Sequence, residues 1–243
     1  MAFVIGHRGL SALAPENTLA AFNAALDNGV NWIETDVDVL ADGTPILIHD
    51  STLDRTTNRT GRYDPLTAAE LNADAGAWFA PEFAGEGVPT LAQLIDLMNE
   101  RGLNANFELK SNEAGKASTL ALVEAVAREL ERLEPGREVI VSSFNHLLLY
   151  LFTQRAPQWA IGLLYEVAIN PDWRSTAEIV GARYIHPDHT LLTPENIAQF
   201  HAAGLGVNAW TVNDRMRANQ LINWGVDGLI SNVPHELADL AQR

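Results

Sequence analysis

Cysteine is absent from this 243-residue chain. Disulfide bonds, thiolate metal sites and a cysteine nucleophile are therefore excluded, and the absence is consistent with a reducing compartment. Apolar runs of the roughly 20 residues that a membrane-spanning helix needs are also missing. Residues 2–6 lead from Met1 directly into a predicted strand and leave no room for a signal peptide. The sequence therefore predicts a cytoplasmic protein.

Basic residues are scarce. The chain has 16 Lys and Arg residues against 31 Asp and Glu residues, which gives a net charge of -15. A charge of this sign repels nucleic-acid backbones and anionic lipid surfaces. We therefore expect a small-molecule substrate, no nucleic-acid partner and no stable association with membranes.

Short apolar runs alternate with helical patterns along almost the whole chain, as is typical of parallel strands joined by helical crossovers. Eight such units favour a single α/β domain over residues 1–243, a (β/α)8 TIM barrel, over a doubly wound open sheet. The predicted strands are Phe3 to His7, Trp32 to Val39, Asn104 to Leu109, Val139 to Ser142, Ala160 to Tyr165, Arg183 to His186, Leu205 to Trp210 and Asp227 to Ile230. The predicted helices begin near Glu16, Leu91, Ala114, Asn145, Trp173, Pro194, Asp214 and His235.

A short strand interrupts this alternation at Pro45 to His49. Only residues 41–44 separate it from the second strand, which is too few for a parallel crossover. We therefore expect a hairpin with Asp42 and Gly43 in the turn.

The segment 51–88 is rich in Asp, Asn, Gly, Pro and Thr, with a short helical pattern around Leu66 to Asn72. A loop of this length is usually functional. We interpret it as an insertion after the second strand and its hairpin, one that caps the active-site end of the barrel and exposes Trp78 and Phe79.

Three acidic residues are predicted to share the barrel interior. Residues two apart in a strand lie on the same face, so Glu34 and Asp36 point the same way. Glu108 ends the next barrel strand, close to Lys110. Buried carboxylates need a cation or protons to compensate them, and oxygen ligands favour Mg²⁺ or Ca²⁺ over zinc. Salt bridges at the barrel mouth are the alternative, and we favour a structural role for Asp38.

Two histidines are the last residues of predicted strands, namely His7 of the first strand and His49 of the hairpin strand. Barrels place their chemistry at the carboxyl ends of strands, so this pair suggests acid–base catalysis near neutral pH. Arg8 and Lys110 are the cations best placed to bind an anionic oxygen. We expect structural roles for the other five histidines, which are His146, His186, His189, His201 and His235.

Nine short motifs follow one another along the chain. They are Ile5-Gly6-His7-Arg8-Gly9, Pro15-Glu16-Asn17-Thr18, Glu34-Thr35-Asp36-Val37, Ile48-His49-Asp50, Leu53-Asp54-Arg55-Thr56-Thr57, Phe107-Glu108-Leu109-Lys110, Ser142-Ser143-Phe144, Trp210-Thr211-Val212-Asn213 and Gly225-Val226-Asp227-Gly228. In content and order they resemble the glycerophosphodiester phosphodiesterases over essentially the whole chain. The resemblance implies a barrel of the phosphatidylinositol-phosphodiesterase type that hydrolyses glycerophosphodiesters to sn-glycerol 3-phosphate and an alcohol.

The resemblance also implies roles for single positions. His7 and His49 would form the acid–base pair. One divalent cation would be bound by Glu34, Asp36 and Glu108. The phosphate would be bound by the cationic side chains of Arg8 and Lys110. Two more residues would contribute to substrate binding. Asn17 matches a helix-start position beside the site, and Trp210 matches an aromatic residue near the bound glycerol. The chain departs from the family at Asn232, where Asp is usual, and we interpret this change as a local hydrogen-bonding variation.

The charges of the predicted site balance. Three carboxylates, a divalent metal, two cationic side chains and a phosphodiester sum to zero, whereas the metal-free side chains sum to -1 and would repel the substrate. We therefore expect the metal to be required for substrate binding as well as for chemistry.

The resemblance further suggests that the glycerol 2-hydroxyl attacks the phosphate and forms a cyclic 1,2-phosphate, with direct attack by metal-bound water as the alternative. Other functions are a lysophospholipase-D-like activity on single-chain lipids, with Trp78, Phe79 and Phe83 as its apolar patch, and a non-catalytic metal-binding barrel. A metal-dependent aldolase or sugar isomerase is compatible with the architecture. The sequence defines neither the preferred alcohol nor the oligomeric state.

Overall fold

The computed structural model describes residues 2–113 and 115–240. Eight parallel strands form a closed barrel, because the first strand pairs with both the second and the last. The nine strands are β1 (Phe3–His7), β2 (Trp32–Val39), β3 (Pro45–Leu47), β4 (Asn104–Leu109), β5 (Val139–Ser143), β6 (Ala160–Tyr165), β7 (Tyr184–Pro187), β8 (Gly206–Ala209) and β9 (Gly228–Ser231). Closure confirms the predicted (β/α)8 barrel over the open sheet.

Helices connect the barrel strands. They are α1 (Leu19–Asp27), α2 (Leu91–Arg101), α3 (Lys116–Leu130), α4 (His146–Arg155), α5 (Trp173–Val180), α6 (Pro194–Ala202), α7 (Arg215–Trp224) and α8 (Pro234–Leu237). Side-chain caps define several of their starts, since Thr90 and Thr193 each form a capping box and Asp214 accepts from the Arg217 amide. In the ranges described, none of these helices is both long and apolar enough to cross a bilayer.

Two predicted helices differ from the observed ones. The first begins at Leu19 rather than near Glu16, because Asn17 adopts a left-handed backbone (φ 56°) and Thr18 caps the helix through the Ala21 amide. Segment 66–72 forms only turns, in which the amides of Glu70 and Leu71 donate to the Thr67 carbonyl. The start predicted near Ala114 lies outside the described residues, and α3 begins at Lys116.

The strand β3 pairs antiparallel with β2, as the short connection predicts. Val37 lies opposite Leu47 and Val39 opposite Pro45. Gly43 supplies the positive φ of 82° that the turn needs. The strand ends at Leu47, so His49 lies beyond it rather than inside it.

The two faces of β2 are used differently. Ile33 and Val37 are fully buried in the apolar core that also contains Leu94 and Ile95 of α2. Glu34 and Asp36 alternate with them and are buried among polar groups. The alternation therefore separates a hydrophobic layer under the helices from a polar barrel interior.

A second apolar cluster packs the insertion against the hairpin. This cluster consists of Leu40, Ile46, Ile48, Leu53 and Tyr63. The Tyr63 hydroxyl donates to Asp38 Oδ2 at 2.8 Å, and the same oxygen accepts from the Asn112 amide at 2.9 Å. Asp38 therefore connects the insertion with β2 through a hydrogen bond. This contact agrees with the structural role that we expect for Asp38.

Gly162 in β6 leaves room for the buried ring of His186. This close approach predicts that a larger residue at position 162 lowers stability. A Cβ at this position would lie 2.7 Å from atoms of the His186 ring, which is completely buried and contacts the Asn208 amide at 3.0 Å. We expect Gly162→Ala to lower the free energy of unfolding by about 1–3 kcal/mol through overpacking. Gly87→Ala, whose Cβ meets open space, should change it by less than about 0.5 kcal/mol. Urea denaturation measures both, and equal midpoints for the two variants would contradict the predicted clash.

Candidate active site

A cavity of about 310 Å³ opens at the carboxyl ends of the barrel strands. It is lined by His7, Arg8, Glu34, His49, Asn106, Glu108, Lys110, Phe144, Leu164, Glu166, Trp210 and Ile230. Of the site residues predicted from the sequence, Asp36 and Asn17 are the two that do not line it. The structure therefore brings together side chains from strands and loops that are distant in the sequence.

Three carboxylates meet at one side of this cavity. Asp36 of β2 lies directly beside Glu108 of β4 in the strand register, and Glu34 is on the same face of β2. One oxygen from each lies within 4.8 Å of the others. This oxygen-only set fits a hard divalent cation such as Mg²⁺ or Ca²⁺.

Burial and mutual repulsion perturb these carboxylates. Burial, together with the charges of Asp36 and Glu108, raises the pKa of Glu34 well above its usual value. Burial and Asp36 raise the pKa of Glu108 to about 7. Burial acts in the same direction on Asp36, but nearby Lys110 and Arg8 lower its pKa overall. The cluster therefore favours protonation of Glu34 and Glu108 unless a further cation compensates their charge.

Two cationic side chains lie against the carboxylates. Lys110 Nζ is 2.7 Å from Glu108 Oε1 and 3.5 Å from Asp36 Oδ1. Arg8 Nε is 3.3 Å from Asp36 Oδ2, and the Arg8 amide donates to Glu34 Oε2 at 3.1 Å. Both side chains also line the cavity, where they can bind an anion.

His7 is held by Asn232, the residue that follows β9. His7 Nδ1 lies 2.6 Å from Asn232 Oδ1, so the amide oxygen favours the tautomer with a proton on Nδ1. Nε2 then carries the lone pair, 3.8 Å from Glu34 Oε2. Burial, followed by the charge of Arg8, lowers the pKa of His7 to about 4. Asn232 therefore forms its hydrogen-bonding contact with the first histidine of the site.

His49 has a different environment. Its side chain is 35% exposed, against 18% for His7, and its Nδ1 lies 2.8 Å from Asp50 Oδ1. Hydrogen bonds from Arg55 hold the pKa of Asp50 well below its usual range. One histidine thus has a neutral partner and the other an anionic one, a difference typical of acid–base pairs with distinct tasks.

Asn17 and Trp210 occupy different parts of the site. The Asn17 amide group is buried, donates to Asp36 Oδ2 at 2.8 Å and accepts from Thr35 Oγ1 at 2.7 Å, so it orients a carboxylate. The Trp210 ring lines the cavity, and its Nε1 donates to the His186 carbonyl at 2.7 Å. Phe144 packs edge-to-face on Trp210 with ring centroids 5.5 Å apart.

Sequence reasoning assigned no role to five residues that line the cavity, namely Asn106, Phe144, Leu164, Glu166 and Ile230. Asn106 Nδ2 donates to Ser142 Oγ at 2.9 Å, while its buried Oδ1 has no partner among the described residues. The signal was present, because Asn106 lies two residues before Glu108 and therefore on the same face of β4. Phe144 and Glu166 follow the ends of β5 and β6. Phe144 belongs to the motif Ser142-Ser143-Phe144, to which no role was assigned, and no pattern marked Glu166.

The five histidines that were expected to be structural do not line the cavity. Each contacts a protein group instead. His146 contacts the Leu164 carbonyl, and His186 contacts Asn208. The other three pairs are His189 with Arg217, His201 with Asp227, and His235 with Glu236.

A closed barrel with two histidines, clustered carboxylates and two cations around one cavity at its carboxyl end defines a barrel enzyme suited to an anionic substrate. Residues 7–236 match the family model of the glycerophosphoryl diester phosphodiesterases, and the chain belongs to this family. It is 35% identical to a glycerophosphodiester phosphodiesterase of Caldanaerobacter subterraneus subsp. tengcongensis, with 99% of this chain and 98% of the relative covered. A Bacillus altitudinis enzyme of the same description is 31% identical, with 96% of each chain covered.

Solved structures agree with this assignment. An Oleispira antarctica phosphodiesterase in complex with the product sn-glycerol-3-phosphate superposes with a TM-score of 0.94 at 31% identity, over 100% of this chain and 98% of that chain. A Silicibacter pomeroyi protein described as a glycerophosphoryl diester phosphodiesterase superposes with a TM-score of 0.88 at 28% identity. The superposition covers 100% of this chain and 93% of that chain. The similarity therefore extends over the barrel and the insertion.

The carboxylate cluster leads to a prediction about metal binding. A cation that binds only the folded protein stabilises it, by about 2.7 kcal/mol at 100 times its dissociation constant. Mg²⁺ or Ca²⁺ should therefore raise the Tm of chelator-treated protein. Glu108→Gln should abolish the rise, whereas Glu166→Gln, which alters a cavity carboxylate outside the cluster, should keep it. The same metal-dependent rise in Glu108→Gln and wild type would show that the cation binds elsewhere.

Proposed function

We propose that this protein is a metal-dependent phosphodiesterase that hydrolyses glycerophosphodiesters to sn-glycerol 3-phosphate and an alcohol. The observation that carries the proposal is the meeting of His7 and His49 with the carboxylate cluster in one cavity. Family membership and the product bound to the Oleispira relative support it. The direct test is release of sn-glycerol 3-phosphate from glycerophosphocholine with Mg²⁺ or Ca²⁺, and no release would reject it.

The proposed binding mode follows from the charges around the cavity. Arg8 and Lys110 hold phosphate oxygens. Glu34, Asp36 and Glu108 would hold one divalent cation, which would supply positive charge beside the phosphate. Asn17 acts on Asp36, whose orientation it maintains, and Trp210 with Phe144 forms an apolar wall for the carbon atoms of the substrate.

The two histidines have separate roles in the proposed reaction. His7 is neutral near pH 7, since burial and Arg8 lower its pKa to about 4, and its Nε2 accepts the proton of the glycerol 2-hydroxyl. This oxygen bonds to phosphorus while the bond to the alcohol breaks. His49, oriented by Asp50, donates a proton to the departing alcohol oxygen.

A cyclic glycerol 1,2-phosphate results, and water opens it. His49 then takes a proton from water as the new bond to phosphorus forms, and His7 returns its proton to the 2-oxygen. The route uses the substrate hydroxyl, already held close to phosphorus, as nucleophile. It requires no Ser, Thr or Cys nucleophile and is compatible with many alcohols.

We propose water-soluble diesters rather than single-chain lipids as substrates. The aromatic residues of the insertion pack on one another, with ring centroids 5.7 Å apart for Trp78 and Phe79 and for Phe79 and Phe83. None of the three lines the cavity. They therefore provide no apolar extension of the cavity for an acyl chain.

The roles of the histidines predict a pattern of activity loss. His7→Ala and His49→Ala should each lower kcat by about 10²-fold or more, because each removes a positioned proton-transfer group. His146→Ala is the control, since the His146 ring does not line the cavity and contacts the backbone carbonyl of Leu164, so this variant should leave kcat unchanged. Steady-state release of sn-glycerol 3-phosphate measures all three, and an unchanged kcat in either cavity variant would remove that histidine from the pair.

The identity of the nucleophile is tested with a modified substrate. A diester whose glycerol 2-hydroxyl is replaced by hydrogen should bind but not react, because the internal nucleophile is missing. Binding is measured as competitive inhibition of glycerophosphocholine hydrolysis, and turnover as release of the alcohol. Hydrolysis of the deoxy diester with a kcat close to that of the natural diester would establish direct attack by water instead.

A further inference from the structure

Arg55 of the insertion holds two carboxylates at once. Its Nε and Nη2 donate to Asp50 Oδ2 and Oδ1 at 2.7 and 3.0 Å. Its Nη1 and Nη2 donate to Glu16 Oε2 and Oε1 at 2.8 and 2.7 Å. Planar pairing of a guanidinium with carboxylates is the most directional form of ion pair in proteins, so Arg55 restrains both acids.

Each of these two carboxylates also contacts a residue of the cavity. Asp50 Oδ1 lies 2.8 Å from His49 Nδ1. Glu16 Oε1 accepts from Arg8 Nη1 at 2.8 Å. Arg55 therefore connects one proposed proton-transfer group with one proposed phosphate-binding group, although it does not itself line the cavity.

The restraint matters because a carboxylate orients an imidazole only if the carboxylate is itself held in place. Asp50 is 27% exposed and Arg55 44% exposed, so without the guanidinium the Asp50 side chain can turn towards water. The tautomer and the ring orientation of His49 depend on this contact.

The fold of the insertion does not depend on Arg55. Leu53 and Tyr63 are buried in the apolar cluster of the insertion, and Tyr63 also donates to Asp38. Arg55 itself is 44% exposed, which limits what its ion pairs add to stability. Loss of the Arg55 side chain should therefore change the geometry of the site more than the stability of the fold.

We propose that Arg55 is a positioning residue for the reaction, acting through Asp50 on His49 and through Glu16 on Arg8. The proposal rests on the roles proposed above for His49 and Arg8. It also gives a task to Glu16 and Arg55, two motif residues that the proposed mechanism otherwise leaves without one.

The test of the first connection compares Arg55→Met, Asp50→Asn and the double variant. Arg55→Met should lower kcat for glycerophosphocholine by about 10- to 100-fold, the scale of a misplaced catalytic group. The loss in the double variant should be smaller than the product of the two single losses, because both changes release the same histidine, whereas Arg55→Met also releases Arg8. Arg59→Met is the matched control, since Arg59 lies in the same insertion and donates to the Glu70 carbonyl, and it should leave kcat unchanged.

The second connection is measured by binding rather than turnover. Calorimetric titration with sn-glycerol 3-phosphate should show a Kd raised about 5-fold in Arg55→Met, because Arg8 loses its restraint through Glu16. His49→Ala should bind the product nearly as well as wild type. Arg55→Lys keeps the positive charge, but a lysine ammonium cannot form bidentate hydrogen bonds with both the Asp50 and the Glu16 carboxylates. The kcat of this variant should therefore lie between those of wild type and Arg55→Met.

The outcomes separate this proposal from the proposed function. If wild type releases no sn-glycerol 3-phosphate, the proposed function fails. If wild type is active and Arg55→Met matches Arg59→Met in kcat and Kd, the positioning role is wrong. Losses that multiply in the double variant would show that Arg55 acts independently of Asp50, which also overturns it. Should circular dichroism show Arg55→Met unfolded, Arg55→Lys takes its place, and wild-type kcat and Kd for that variant would reject the proposal.

Discussion

The crowding of three carboxylates inside the barrel is the constraint on which the rest of the site depends. Acids that lie this close in a water-poor interior are stable only beside positive charge or as protonated groups. Arg8 and Lys110 supply part of that charge, and Asn17 donates to the most strongly ionised member. The cations that offset the acids also line the cavity, so one arrangement serves both the stability of the acids and the binding of an anion.

Strand register explains why these side chains meet. His7 lies beside Glu34 across β1 and β2, and Asp36 lies beside Glu108 across β2 and β4. In parallel strands the carboxyl ends come together at one edge, and residues of equal parity face the same side. Much of the site was therefore predictable, because a strand pattern of period two determines which side chains share a face.

Contacts that depend on the path of the chain between strands could not be predicted in this way. The pairing of Arg55 with Glu16 requires the insertion to fold back over the first loop, and no local pattern encodes that path. The late start of α1 has a similar cause. Asn17 takes a left-handed backbone while its side chain bonds Asp36, so a tertiary contact overrides the helical pattern that begins near Glu16.

The contact between His7 and Asn232 joins two residues that are 225 positions apart in the sequence. The strand pair β1 and β9, which closes the barrel, ends immediately before Asn232. A chain that has not yet paired its last strand therefore has an open sheet and a His7 ring without its partner. In the proposed reaction, the contribution of His7 therefore depends on closure of the barrel by β1 and β9.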